Sequence, residues 1–250
     1  MMLANLDGLF WLLLLIGPLL LFQRGLHREV QAVLLLLTRR NDIALMLFSI
    51  LFLPGVVLHE GSHFLAARLL GVRTGRFSLL PRPIGQGKLQ LGFVETASTD
   101  WLRDALIGIA PLISGGAFVA YVGLSRLGLV ELWDQVMQNG PSAVGLMLEM
   151  PDFWLWIYLV VIVSSTMLPS ASDRRSWQPI GLILLLLLVV SLLAGAGPWL
   201  LTYAAPALNQ ALRAVAVVLG ISVVVHGVFL LPTWLLHRLL SRVTHMDVVR

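Results

Sequence analysis

The chain has 250 residues, of which 58% are hydrophobic and only 12% are charged. An average soluble domain carries about twice that share of charge, so the composition excludes an ordinary soluble protein and indicates an integral membrane protein. The net charge of +4 comes from basic residues beside apolar runs. There they act as topology signals and lipid contacts, so the bilayer is an expected partner and nucleic acid is not. Because cysteine is absent, any metal site must use His, Asp or Glu.

Successive apolar runs predict about six transmembrane helices in one domain that covers residues 1–250. The first run, residues 9–22, is followed by an arginine-containing segment, 23–42, with the composition of an interfacial helix. The later runs lie at about 43–70, 105–124, 153–172, 180–201 and 211–236. We therefore predict an all-α polytopic membrane fold, with five spans if the first run lies in the interface.

Residues 71–100 interrupt this pattern between the second and third helices. The stretches RFSLL and KLQLGFVE alternate in polarity and are separated by PRPIGQG, whose proline and glycine residues favour a turn. The pattern predicts a small β-hairpin at about residues 75–97.

The distribution of basic residues predicts the orientation in the membrane. If the loops alternate between two faces, eleven of the seventeen basic residues fall on the face that holds residues 68–103, 174–175 and 238–250. This bias predicts that this face is cytoplasmic. Arginine far outnumbers lysine, which is typical of a GC-rich genome. The expected location is the cell membrane of a prokaryote, with the active site nearer the cytoplasmic face.

The second apolar run contains LHEGSH, residues 58–63. Helical spacing places His59 and His63 one turn apart on one face, with Glu60 beside them. A chain of this composition would contain the pattern H-E-x-x-H only about 0.003 times by chance. Ionisable groups at membrane depth are costly and mark functional sites. We therefore expect His59 and His63 to bind a metal ion, and zinc is the ion that imidazole and carboxylate ligands suit best.

A catalytic zinc site requires a third protein ligand and an open position for water. Asp173 is the first candidate, because it follows the point where Pro169 interrupts the fourth apolar run. Alternatively, Asp173 begins a polar loop and pairs with a neighbouring arginine. His226 is the rival ligand, or else a packing histidine or a partner of a ligand. The remaining histidines lie in basic flanks, where we expect interfacial positions: His27, His237 and His245.

Two segments resemble the site-2 protease family of intramembrane zinc metallopeptidases, in particular its short members. They are HEGSHFLAARLLGVRTGRF, residues 59–77, and TMLPSASD, residues 166–173, in which Thr166 stands where the family usually has asparagine. IAPLISGG, residues 109–116, is similar to a segment of the family's intervening helix. The resemblance covers about residues 45–175, and the metal-binding core is expected at about 43–175.

The resemblance implies that His59, His63 and Asp173 hold zinc and that Glu60 is the general base in peptide hydrolysis. Thr166 and His226 are expected beside the metal or as alternative ligands. The implied substrate is a membrane-spanning protein, whose helix must become locally extended before cleavage.

The second strand of the predicted hairpin could pair with such an extended substrate through its edge, or it could be an ordinary solvated strand. The residues in question are Leu89, Leu91 and Phe93. Two other functional classes remain open: a non-catalytic zinc-binding membrane protein and a membrane metal-ion transporter. A transporter would need ionisable residues at several depths, whereas this chain concentrates them at one level. The sequence leaves the oligomeric state open.

Overall fold

Helices dominate the chain in a computed structural model, which describes residues 7–79, 81–83, 89–140, 145, 148 and 150–246. The helices of these residues are α1 (Asp7–Thr38), α2 (Asn41–Leu69), α3 (Trp101–Tyr121), α4 (Leu129–Asn139), α5 (Phe153–Thr166), α6 (Trp177–Leu193) and α7 (Ala205–Thr244). A π-helical turn, Val122–Arg126, continues α3, and the turns Gly197–Trp199 and Leu200–Ala204 lead into α7.

Four helical segments of the described chain are long and apolar enough to cross a membrane. They are Asp7–Thr38, Asn41–Leu69, Trp101–Arg126 and Gly197–Thr244. Helices α5 and α6 are also apolar but have only 14 and 17 residues. The predicted all-helical architecture is confirmed, and these four helices fit the predicted membrane protein, whereas the number of six spans is not confirmed.

Two boundaries differ from the sequence prediction. Residues 23–38 continue α1 instead of forming a separate interfacial helix, and α1 ends where Arg39 adopts a left-handed conformation with φ 54°. The apolar run at 180–201 is broken at Gly195, whose φ of 79° is a conformation that glycine adopts without steric cost. Apolar composition alone marks neither break, because both depend on single backbone conformations.

The first and last helices, α1 and α7, run in the same direction and form the largest helix–helix interface. Near their starts Asp7 forms an ion pair with Arg213, and further along both helices Glu29 contacts His237. Six spans in strict alternation would place the first and sixth helices antiparallel. The parallel arrangement therefore does not fit an uninterrupted alternation of six spans.

The segment between α2 and α3 forms short antiparallel strands, as the hairpin prediction expects. Strand β1 (Thr74–Ser78) pairs with β4 (Phe93–Thr96), and β2 (Arg82–Pro83) pairs with β3 (Leu89–Gln90). The register shifts between Thr74 and Phe77, so the pairing of β1 with β4 is irregular. Residues 84–87 of the predicted turn and Lys88, which begins the predicted second strand, lie outside the described residues.

Helices α2, α3 and α5 pack closely because glycines face their neighbours. A Cβ on Gly55 of α2 would lie 2.7 Å from the carbonyl oxygen of Ile162 on α5. A Cβ on Gly115 of α3 would overlap the side chain of Met167, the residue that follows α5. Small residues at such crossings let helix backbones approach in membrane proteins. These contacts bring the end of α5 beside the histidine-bearing part of α2.

Candidate metal centre

His59, His63 and Asp173 come together although more than one hundred residues separate the motif from the aspartate. Ligand-capable atoms of the three residues all lie within 4.8 Å of one another. His63 Nε2 is 3.4 Å from Asp173 Oδ1, and His59 Nε2 is 3.9 Å from Asp173 Oδ2. The three side chains are at most 15% exposed. The structure thus places the two motif histidines and the first candidate for the third ligand in one cluster.

Local structure after α5 positions Asp173. The helix ends at Thr166, and the following residues form turns instead of a continued helix. Within them the Ser170 backbone N–H donates to Asp173 Oδ2 at 2.7 Å. On the other side, Gly108 of α3 lies against the Asp173 backbone, and a Cβ at Gly108 would overlap the Asp173 carbonyl oxygen. Ser170 therefore orients the carboxylate, and the absence of a side chain at Gly108 gives its loop room.

A backbone carbonyl orients the ring of His63. Its Nδ1 lies 2.8 Å from the carbonyl oxygen of Ile107 on α3. Because a carbonyl only accepts, Nδ1 must carry a proton, and Nε2, the nitrogen that faces Asp173, is the atom that can bind a metal ion. A histidine held by its second nitrogen in this way is the usual arrangement of a metal ligand in proteins.

The electrostatics of the loop favour an ionised Asp173. Burial on its own raises the pKa of this carboxyl group, but its interactions with His63 and Ser170 outweigh burial and lower the pKa to about 2. The group is therefore a carboxylate at neutral pH. A carboxylate is the form in which aspartate binds a metal ion.

Glu60 lies between two cavities that meet at the cluster. The larger, about 640 Å³, is bounded by the three clustered residues, by part of β4 and by residues 170–173 and Arg175. The smaller, about 230 Å³, lies between α1, α2 and the end of α5, and Leu91 and Gly92 line it. A Cβ on Gly92 would lie 2.9 Å from Glu60 Cγ. The segment between β3 and β4 therefore covers the Glu60 side chain.

The donor set fits a metal ion. With bonds of 2.0–2.2 Å, two ligand atoms on a tetrahedral centre stand about 3.4 Å apart. The His63–Asp173 separation of 3.4 Å matches this spacing, and ligand-capable atoms of all three residues lie within 4.8 Å of one another. Two neutral imidazoles and one carboxylate also match the ligand types of three-ligand metal sites. The cluster can therefore hold a metal ion and leave a coordination position for water.

The other residues singled out in the sequence have different positions. Thr166 lines the smaller cavity, and its hydroxyl donates to the carbonyl oxygens of Ile162 and Val163. His226 is fully buried, with both ring nitrogens bonded, to Ser165 and to the Ser222 carbonyl oxygen. His226 therefore lies outside the metal cluster and packs the bundle.

The three hairpin residues divide between the two cavities. Leu91 lines the smaller cavity, and Phe93, at the start of β4, lines the larger one. Leu89 belongs to β3, and only its backbone is described.

Two histidines expected at the membrane interface lie inside the bundle, His27 half-buried and His237 buried. His27 lines the smaller cavity together with His59 and Glu60. His237 is 9% exposed and contacts Glu29 across the α1–α7 interface. The basic residues next to them in the sequence predict an interfacial position for both histidines. That prediction is wrong because the neighbouring sequence does not show which helices pack against a residue. Gly108 carries no sequence signal that connects it with the cluster, whereas Ser170 lies within the segment TMLPSASD that contains Asp173.

No family model matches the chain, and neither a curated protein nor a solved structure is significantly similar to it.

Proposed function

We propose that this protein is an intramembrane zinc metalloprotease of the site-2 protease type, which hydrolyses peptide bonds of membrane-spanning proteins. The observation that carries the proposal is the convergence of H-E-x-x-H on α2 with Asp173 from the broken end of α5. The same convergence would be costly for a bundle without a function that needs it, because it brings two imidazoles and two carboxyl groups together where they are largely shielded from solvent.

In this proposal His59, His63 and Asp173 hold zinc. When bound, zinc supplies Lewis-acid chemistry, which polarises a peptide carbonyl and makes water more acidic. The Glu60 carboxylate takes a proton from the attacking water and delivers it to the leaving amide nitrogen. One peptide bond and one water thereby become a carboxylic acid and an amine. The larger cavity, with polar residues such as Ser170 and Ser172 in its wall, gives water a place beside Glu60.

The hairpin would hold the extended substrate. Phe93 and Val94 of β4 line the larger cavity, and Leu91 and Gly92 line the smaller one, so this segment runs along both sides of Glu60. A strand in that position offers backbone groups to an extended peptide. Replacing Leu91 with proline removes a backbone N–H and should reduce cleavage strongly while zinc content stays unchanged. Unchanged turnover would remove the hairpin from the mechanism.

For the topology we propose five crossings of the membrane, by α1, α2, α3, α5 and α7. Helix α6 does not cross in this proposal, so both of its ends lie on the same face. On that count Arg213 joins the face of the metal site, and Arg238, Arg242 and Arg250 leave it, so the basic residues divide nine to eight. The excess of basic residues on the face of the metal site, from which the cytoplasmic orientation was predicted, therefore disappears. A prokaryotic cell membrane remains the proposed location.

Zinc content and cleavage, measured in the same preparations, test the proposed activity. We expect one zinc per chain in the wild type, loss of zinc in His59→Ala and Asp173→Ala, and loss of cleavage alone in Glu60→Gln. The substrates are single-span proteins reconstituted with the enzyme. His245→Ala is the matched control, because His245 lies at the end of α7, away from the site.

Two results would contradict the proposal. Zinc retained in both ligand variants would show that His59 and Asp173 do not bind the metal ion. Bound zinc without cleavage of any substrate would favour a non-catalytic metal-binding protein.

A further inference from the structure

The smaller cavity beside Glu60 is lined by His27 of α1, a residue that the proposed chemistry does not use. His27 Nε2, on α1, is buried and has no hydrogen-bond partner among the described residues. The ring stands edge-on to Phe52 and Phe48 of α2, at centroid distances of 4.8 and 5.7 Å. A buried polar atom left without a partner destabilises the folded protein. This cost suggests that a bound group completes the site.

The hydroxyl groups in the same wall are oriented as acceptors. His226 Nδ1 lies 2.7 Å from the Ser222 carbonyl oxygen and must therefore donate to it, which leaves Nε2 as an acceptor. The Ser165 hydroxyl, 2.8 Å from His226 Nε2, must then donate its proton to that nitrogen. The Thr166 hydroxyl likewise donates its proton to backbone carbonyl oxygens of α5. Both oxygens keep lone pairs for a hydrogen-bond donor in the cavity.

The remaining wall of the cavity is apolar. Val56 of α2 and Leu91 line it, and Gly92 closes it above Glu60. Its volume of about 230 Å³ is below the range of about 300–1,000 Å³ that holds drug-sized ligands. The space therefore suits one short side chain with an apolar body and a polar end that can both donate and accept.

We propose that this cavity receives the side chain of a substrate residue that flanks the cleaved bond, and that His27 selects a hydroxyl or carboxamide side chain there. The proposal rests on the proposed protease function, because Glu60 and His59 share the cavity wall. His27 is a specificity-determining residue in this arrangement and takes no part in proton transfer. The substrate class is a membrane-spanning segment with threonine, serine, asparagine or glutamine beside the scissile bond.

Binding without cleavage tests this preference. The protein is the full-length Glu60→Gln variant in detergent micelles, loaded with zinc. The probe is a fluorescent single-span peptide of leucine and alanine that carries either threonine or its isostere valine, scanned along the central positions. At one position we expect threonine to bind about tenfold tighter than valine, since one hydrogen bond to a buried group is worth about that factor. Adding His27→Leu should reduce this ratio to about one.

Two further variants keep the result interpretable. His27→Gln retains a hydrogen-bonding group and should keep part of the threonine preference, which would distinguish a lost hydrogen bond from a packing defect. His245→Leu, at the far end of α7, should leave the tenfold ratio unchanged. A ratio near one at all positions in the Glu60→Gln protein, or an unchanged ratio after His27→Leu, would overturn the proposal. Because no cleavage is required, failure of the protease function would leave this ratio measurable.

Discussion

Helices α5 and α6 look alike in sequence but differ completely in the structure. Both are short, almost entirely apolar and without an acidic or basic residue. In α5 the six residues from Val160 to Ser165 are all buried, and in α6 no residue is. The difference shows that apolarity selects a nonaqueous environment but does not distinguish lipid from protein. In α5 the choice follows from glycines on its neighbours, since Gly55 and Gly115 leave space for it.

The largest expected effect concerns the path of the chain through α6, and cysteine labelling measures it. The natural chain has no cysteine, so single cysteines can be introduced directly. Because α7 runs parallel to α1, we expect Arg174→Cys and Tyr203→Cys to react from the same face of the membrane. Arg39→Cys and His245→Cys should react from the opposite face. Labelling of positions 174 and 203 from opposite faces would restore the alternation of six spans.

The packing of α5 can be disrupted by filling the space at Gly55. Gly55→Leu places a side chain against Ile162 and Thr166, and overpacking of this kind costs about 3 kcal/mol of the free energy of unfolding. Gly181→Leu in α6 is the matched control, because no atom lies within 4 Å of a Cβ there. We expect it to change stability by less than about 0.5 kcal/mol. Thermal unfolding in detergent measures both, and equal effects would contradict the comparison.

The position of Asp173 depends on Gly108 in a similar way. Gly108→Ala should displace the Asp173 backbone and lower zinc affinity about tenfold or more, because supporting contacts around ligands are worth about 10–100-fold in affinity. Gly116→Ala is the control, since the nearest atom to a Cβ there is 3.8 Å away. Competition with a chelator measures the affinity. An unchanged affinity in Gly108→Ala would show that the loop adapts without moving its carboxylate.

The smallest effect is expected from a matched pair of valine truncations. Val160 of α5 is 0% exposed, whereas Val189 of α6 is 44% exposed. Val160→Ala removes packed methyl groups and should cost about 1 kcal/mol, while Val189→Ala should cost little because lipid fills the space. Chemical unfolding in mixed micelles compares the two. A similar cost for both would mean that another molecule covers α6.

The sequence by itself determined that this is a helical membrane protein with a candidate metal site on α2. The apolar composition indicates that the helices lie in a membrane, and helical spacing places His59 and His63 on the same face of α2. It also made Asp173 the first candidate for a third ligand, with His226 as the rival, since a broken apolar run with a carboxylate is a local pattern.

Only the tertiary structure decided which helices are in contact. It brought Asp173 to the histidines, placed His27 and Glu60 in the wall of one cavity and made α1 parallel to α7. It also buried His226 between Ser165 and Ser222, away from the cluster. These outcomes depend on close approaches at single glycines and on backbone turns such as Gly195. Such contacts join residues that are distant in the chain, and therefore no local pattern of apolar residues encodes them.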